Sequence, residues 1–213
     1  MKMRTLDLMK LAPVVPVVVL EDAANAVPLA RALVAGGLPA IEVTLRTEAA
    51  LEGIRRIAAE VPDAVVGAGT VVTPGQVEQA AKAGSRFLVS PGCTGALRGA
   101  LAGSGLPFLP GASTASEAMA LLEHGITELK FFPAKPAGGA PYLKALAGPL
   151  PGLSFCPTGG ITLQSAPDFL ALPNVPCVGG TWLTPADAVA SGDWARIEKL
   201  AAEAAALGRP AAA

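Results

Sequence analysis

Histidine is almost missing from this sequence. Its one copy, His124, stands near the end of a segment that reads as a helix. A metal site built from clustered histidines is therefore excluded, as is a serine–histidine–aspartate triad that His124 does not serve. His124 itself reads as a helix C-terminal residue favoured by the dipole. Acid–base work must then fall to carboxylates, lysines or the single tyrosine, Tyr142. Cysteine is scarce as well. Cys93, Cys156 and Cys177 show no CxxC spacing, and the last two lie in strand-like runs as reduced core residues. The odd count and the lack of a signal-like apolar run near the start point to the cytoplasm. Aromatic residues make up only 4% of the chain, so Ala, Val, Leu, Gly and Pro must do the packing. A net charge of −1 leaves no basic footprint, which argues against nucleic acid as a partner. No long uninterrupted apolar run offers a membrane span. The mean hydropathy of +0.50 points instead to apolar surface buried between subunits.

What is present is a regular alternation over 213 residues, taken as a single domain spanning 1–213. Short β-branched runs fall at 14–19, 40–43, 64–67, 87–90, 107–109, 129–132, 154–156 and 177–179. Ala/Leu-rich amphipathic segments lie between and after them, at 22–34, 48–60, 74–83, 95–103, 115–124, 142–146, 163–170 and 193–207. A short piece at 185–191 and a leading helix within 1–11 complete the reading. Thr73-Pro74-Gly75-Gln76 and Thr114-Ala115-Ser116-Glu117 fit capping boxes, and Thr184-Pro185-Ala186-Asp187 follows the same logic. Pro28 falls inside a helical pattern, where it bends or shortens the segment. The tail from Gly208 is Pro/Ala-rich and reads as frayed. Eight βα units in this length describe a compact (β/α)8 TIM barrel with a leading N-terminal helix. A doubly wound open sheet is the alternative, but Leu20-Glu21-Asp22 follows the first strand where its glycine fingerprint belongs.

In such a barrel the chemistry lies at the C-terminal ends of the strands. Lys130 stands inside the run Glu128-Leu129-Lys130-Phe131-Phe132-Pro133. Burial there strips its hydration and favours the neutral amine that imine chemistry with a ketone requires. The alternative is a strand-end lysine that snorkels to water or pairs with a carboxylate. Period-two alternation puts Glu42 and Thr44 on one face and Lys130 with Phe132 on one face. Glu42 can then share a ligand with Lys130, or serve only as an ion-pair partner for Lys130 or Arg46. Thr158-Gly159-Gly160 and Gly179-Gly180-Thr181 follow the seventh and eighth strands, where barrels bind phosphate through backbone N–H groups at a helix N-terminus. The alternative for each pair is a plain tight turn.

Taken together, Glu42-Val43-Thr44-Leu45-Arg46, Val66-Gly67-Ala68-Gly69-Thr70, Ser90-Pro91-Gly92, Lys130-Phe131-Phe132-Pro133-Ala134, Phe155-Cys156-Pro157-Thr158-Gly159-Gly160-Ile161 and Gly179-Gly180-Thr181-Trp182 resemble the 2-keto-3-deoxy-6-phosphogluconate (KDPG) aldolases. That family also includes 4-hydroxy-2-oxoglutarate aldolases, and the resemblance runs in order from about Val14 to Leu200. It implies a class I Schiff-base aldolase, a homotrimer, that forms pyruvate and glyceraldehyde 3-phosphate with no metal and no cofactor. By this resemblance Lys130 is the Schiff-base lysine and Glu42 the acid–base residue. Arg46, Thr70 and Thr158 hold the pyruvyl carboxylate, and Pro91 and Phe132 wall the pocket. Gly159, Gly160, Gly179, Gly180 and Thr181 take the phosphate, with Thr181 standing where many relatives carry Ser. Two other outcomes stay open. One is a related lyase acting on 4-hydroxy-2-oxoglutarate or the galactonate epimer; the other is a silent barrel that binds a sugar phosphate without forming an imine.

Overall fold

The computed structural model describes residues 3–207. A short helix, α1 (Thr5–Met9), leads into β1 (Val14–Val18), a 3-10 turn (Ala23–Asn25) and α2 (Ala26–Ala35). The alternation continues through β2 (Ala40–Thr44), α3 (Ala49–Glu60), β3 (Val65–Gly69), α4 (Pro74–Lys82), β4 (Leu88–Val89) and α5 (Gly95–Gly103). Two very short strands, β5 (Phe108–Leu109) and β6 (Gly111–Ala112), flank Pro110 before α6 (Ala115–Leu122). Then come β7 (Glu128–Phe131), α7 (Gly139–Leu146), β8 (Ser154–Pro157), α8 (Ala166–Leu170), β9 (Val178–Gly180), α9 (Ala186–Ser191) and α10 (Trp194–Ala205). No helix among the described residues is long and apolar enough to cross a membrane.

All strand pairings are parallel. They form a six-stranded arc in the order β5-β4-β3-β2-β1-β9 and a three-stranded arc in the order β6-β7-β8. The arcs meet at a parallel bridge between Thr158 and Gly179. On the other side the chain passes directly from β5 to β6 through Pro110. Nine strands among the described residues therefore replace the eight expected, because the fifth continues past 109 and is cut in two. Proline has no N–H for the ladder, so β5 stays with β4 while β6 pairs with β7; the Pro110 carbonyl still accepts from the Lys130 N–H at 2.9 Å.

Side chains divide by face with a period of two. Ile41, Val43, Val66, Ala68, Leu88, Leu129, Phe131 and Phe155 join the large core under the helices. Val15, Ala40, Val65, Phe87, Val89, Leu109, Cys156 and Cys177 form a second core on the inner face of the curled sheet, closed below by Leu8 and Met9 of α1. Cys156 and Cys177 are thus inner-core residues, as their strand-like runs indicated.

Helix starts at Thr73 and Thr114 show the capping boxes read from sequence. Thr184 does not cap α9: the N-cap is Pro185, with no side-chain bond. Pro28 sits in the first turn of α2, where a missing N–H costs little, and the helical pattern before it becomes the 3-10 turn. The segment expected at 142–146 begins earlier, at Gly139, and the one at 163–170 begins later, at Ala166. His124 lies beyond the end of α6, exposed in the turn that follows. The leading helix covers only Thr5–Met9 of the expected 1–11, and the tail from Gly208 lies outside the described residues.

Candidate active site

Lys130 is carried by β7 on the face opposite Leu129 and Phe131, which are held in the large core. Its ladder partners are Gly111 on β6 and Cys156 on β8. Glu42 points to the same interior from β2, where Ile41 and Val43 anchor the strand to the helices. The Lys130 Nζ donates to Glu42 Oε1 at 3.0 Å, with the two residues only 5% and 3% exposed. An isolated charge at that depth is costly; a paired one with a hydrogen bond is tolerated. The contact satisfies the ion-pair alternative, and it also gives a proton a direct path between amine and carboxylate.

Phe132 is the first residue past β7, not the last in it, and its ring centroid lies 5.6 Å from the Lys130 Nζ. That is within cation–π range, so the ring forms one wall beside the amine. Pro91 is half-buried, and its backbone lies tight against Gly111, the ladder neighbour of Lys130. Thr44 is fully buried and donates to the Val18 carbonyl at 3.0 Å, which ties β2 to β1 above Glu42.

Thr70 immediately follows β3 and has φ 56°, the one positive value among described non-glycine residues. A β-branched residue in the left-handed region is strained and is kept only where surrounding contacts enforce it. Here its Oγ1 accepts from the Arg46 Nε at 3.2 Å, and the Leu45 N–H donates to the Gly69 carbonyl at 2.8 Å. Arg46 and Thr70 thus stand together at the strand ends next to Glu42. Thr158 is buried, and its Oγ1 has no hydrogen-bond partner among the described residues. Its N–H donates to the Phe131 carbonyl at 2.9 Å, placing that unused hydroxyl beside β7.

The glycine loops depart from expectation. Gly159 and Gly160 both have positive φ, 107° and 77°, and α8 starts only at Ala166, so no helix N-terminus adjoins them. Gly160 is covered by Lys135: a Cβ at Gly160 would lie 2.9 Å from that of Lys135. The Lys135 N–H also donates to the Gly159 carbonyl at 3.0 Å. Lys135 is a site neighbour that sequence reasoning missed, because nothing in spacing signals a loop folding over another. Thr181 is exposed and lines a cleft of about 470 Å³ between the ends of β1 and β9, with Val17, Glu21, Asp22 and Thr184 among the walls. Among the described residues no three His, Cys, Asp or Glu side chains gather as a metal site.

The geometry brings Lys130, Glu42 and Phe132 into one cluster and joins Arg46 to Thr70 at its rim. Thr158 stands beside them, and Thr181 opens onto a neighbouring cleft. A buried amine paired with a carboxylate, with a guanidinium at the strand ends, fits imine chemistry on a 2-keto acid. Comparison with known proteins points the same way. The chain is 54% identical over 192 residues to the 2-dehydro-3-deoxy-phosphogluconate aldolase of Dickeya dadantii, a match covering 90% of each chain. It superposes with a TM-score of 0.94 on the KDPG aldolase from Legionella pneumophila with pyruvate captured as a covalent carbinolamine; identity is 43%, over 96% of this chain and 100% of that one. The KDPG aldolase of Zymomonas mobilis ZM4 with 3-phosphoglycerate gives a TM-score of 0.92 at 49% identity, covering 98% of each chain. Residues 6–200 match the family profile described as KDPG and KHG aldolase, and the chain belongs to that family.

Proposed function

We propose that this chain is a Schiff-base aldolase that cleaves 2-keto-3-deoxy-6-phosphogluconate to pyruvate and glyceraldehyde 3-phosphate. The observation that carries this reading is the buried 3.0 Å contact between Lys130 and Glu42. The Lys130 Nζ gives up a proton to Glu42 and adds to the C2 ketone, forming a carbinolamine. A second proton from Nζ and the one held by Glu42 leave with the ketone oxygen as water, giving the protonated imine and restoring the Glu42 carboxylate. Glu42, again a carboxylate, takes the C4 hydroxyl proton. The C3–C4 electron pair then moves into the imine, releasing glyceraldehyde 3-phosphate and leaving an enamine. Glu42 returns the proton to C3, and water hydrolyses the imine to free pyruvate and Lys130.

Arg46 and Thr70 hold the pyruvyl carboxylate from the rim, and the unpartnered Thr158 hydroxyl donates to it. Pro91 and Phe132 wall the reacting carbons. Backbone N–H groups of Gly159, Gly160, Gly179 and Gly180 take the phosphate with the Thr181 hydroxyl, without the helix dipole expected behind Gly160. We further infer that the two sheet arcs close as one eight-stranded barrel, that the chain works as a single domain, and that it is a cytoplasmic homotrimer.

A second reading makes 4-hydroxy-2-oxoglutarate the better substrate. It is favoured by Glu21 and Asp22, whose carboxylates line the cleft that holds Thr181 and oppose a phosphate dianion there. Supplying both acids and measuring pyruvate release against each aldehyde product separates the two. Equimolar pyruvate and glyceraldehyde 3-phosphate from the phosphorylated acid, at the higher kcat/KM, is the expected result. Release of pyruvate by a Lys130→Met chain at the wild-type rate would contradict the mechanism.

A further inference from the structure

We propose that Gly69 is a positioning residue for the acid–base step: the space left by its missing side chain is where the Glu42 carboxylate lies. The proposal rests on the role given to Glu42 above. Gly69 ends β3 and is the ladder partner of Thr44, so it shares the inner face with Ala40, Glu42 and Thr44. Its φ is not in the left-handed region, so the backbone there does not ask for glycine. Space does. A Cβ built at Gly69 falls on three atoms of one side chain, the Oε1, Cγ and Cδ of Glu42. Oε1 is the atom that holds the Lys130 Nζ. Glu42 is 3% exposed, so its carboxylate has no open route by which to give way. A methyl group at 69 and the carboxylate in its present place exclude each other.

Two neighbours sharpen the assignment. Gly67 is on the same face of the same strand and is the ladder partner of Glu42 itself, yet a Cβ there falls on the Phe87 ring in the inner core. Crowding at 67 therefore acts on packing, and crowding at 69 acts on the carboxylate. Across the sheet, Gly179 repeats the arrangement: it too lacks a positive φ, and a Cβ on it falls on the Thr158 Oγ1.

The test is a double-mutant cycle read by exchange of the pyruvate methyl protons with heavy water, followed by NMR, alongside borohydride trapping of pyruvate on Lys130. Gly69→Ala is expected to retain trapping and to slow exchange by a factor on the order of 10² or more, within the range of a lost general acid–base group. Because the carboxylate is already displaced, Gly69→Ala with Glu42→Gln should be within about twofold of Glu42→Gln alone. Losses that multiply in the double variant would overturn the proposal. Gly67→Ala is the control: it should lower thermal stability while Glu42→Gln still costs its full factor in that background. If Glu42→Gln lost its effect there, the space at 69 would not be specific and the proposal would fall. Should Gly69→Ala fail to fold, Glu42→Ala in the same chain removes the atoms the methyl meets and should restore folding. A double variant that stays unfolded would contradict the steric argument. A wild-type chain showing neither trapping nor exchange would overturn the role of Glu42 itself, and the proposal with it.

Discussion

Lys130 and Glu42 are 88 positions apart in the chain and 3.0 Å apart in space. Neither side chain has another hydrogen-bond partner among the described residues, so each depends on the other for its hydrogen bond at this depth. If Glu42 moves protons as well as pairing, Glu42→Gln keeps the shape and part of imine formation. Cleavage and pyruvate proton exchange should then fall by roughly 10²–10⁴-fold. Near-normal turnover in that variant would leave Glu42 a structural partner. The inward facing of both residues was legible from strand alternation, because period two is set by the backbone alone. Their contact was legible only as one of several alternatives, since alternation does not say which inward side chains meet. The left-handed Thr70 was equally hidden: threonine gives no sign of positive φ, and only its bond to Arg46 makes the conformation intelligible. The space at Gly69 could be read only once Glu42 had atoms to fill it.

At the scale of elements, local hydrogen bonds made some helices predictable. Glu117 closes the capping box of α6, accepting from the Ser113 N–H at 2.7 Å and the Thr114 N–H at 2.9 Å. The Ser113 backbone N–H, foremost among these donors, holds the Glu117 carboxyl below its ordinary value. A carboxyl lowered in the folded state contributes stability above its unfolded value, and that contribution is lost as pH falls through the folded one. Glu117→Gln should therefore be less stable than wild type near pH 7, with the gap closing below about pH 4. Urea melts across that range check it; a gap that widened in acid would reverse the sign. Thr184 failed as a cap because Pro185 took the N-cap place itself. The glycine pairs were legible as special positions but not in their surroundings. Gly160→Val must displace Lys135 and force a branched residue into positive φ. It should therefore cost more than Thr181→Val, which removes one donor worth about 1.5–3 kcal/mol to a charged group. Steady-state kinetics on phosphorylated and unphosphorylated 2-keto-3-deoxy acids should show losses on the phosphorylated substrate. Equal losses on both would leave the pairs as turns.

For the whole molecule, the α/β alternation was readable throughout because each strand carries its own apolar run. The split at Pro110 was not, since a two-residue strand leaves no pattern to read. The inner core depends on its floor. Leu8 is 1% exposed and Met9 is fully buried, so α1 closes the sheet interior beneath Lys130 and Glu42. Leu8→Ala should cost about 2–5 kcal/mol through the cavity it leaves, measurable by denaturant unfolding; a change near zero would mean that α1 is only laid against the sheet. Above that floor, everything proposed for the site turns on one amine. Borohydride reduction in the presence of pyruvate, followed by intact mass and peptide mapping, tests it most directly. One reduced pyruvyl group per chain, on Lys130 alone and absent from Lys130→Met, is the predicted result. Modification mapped to Lys135 or Lys144, or none at all, would contradict it.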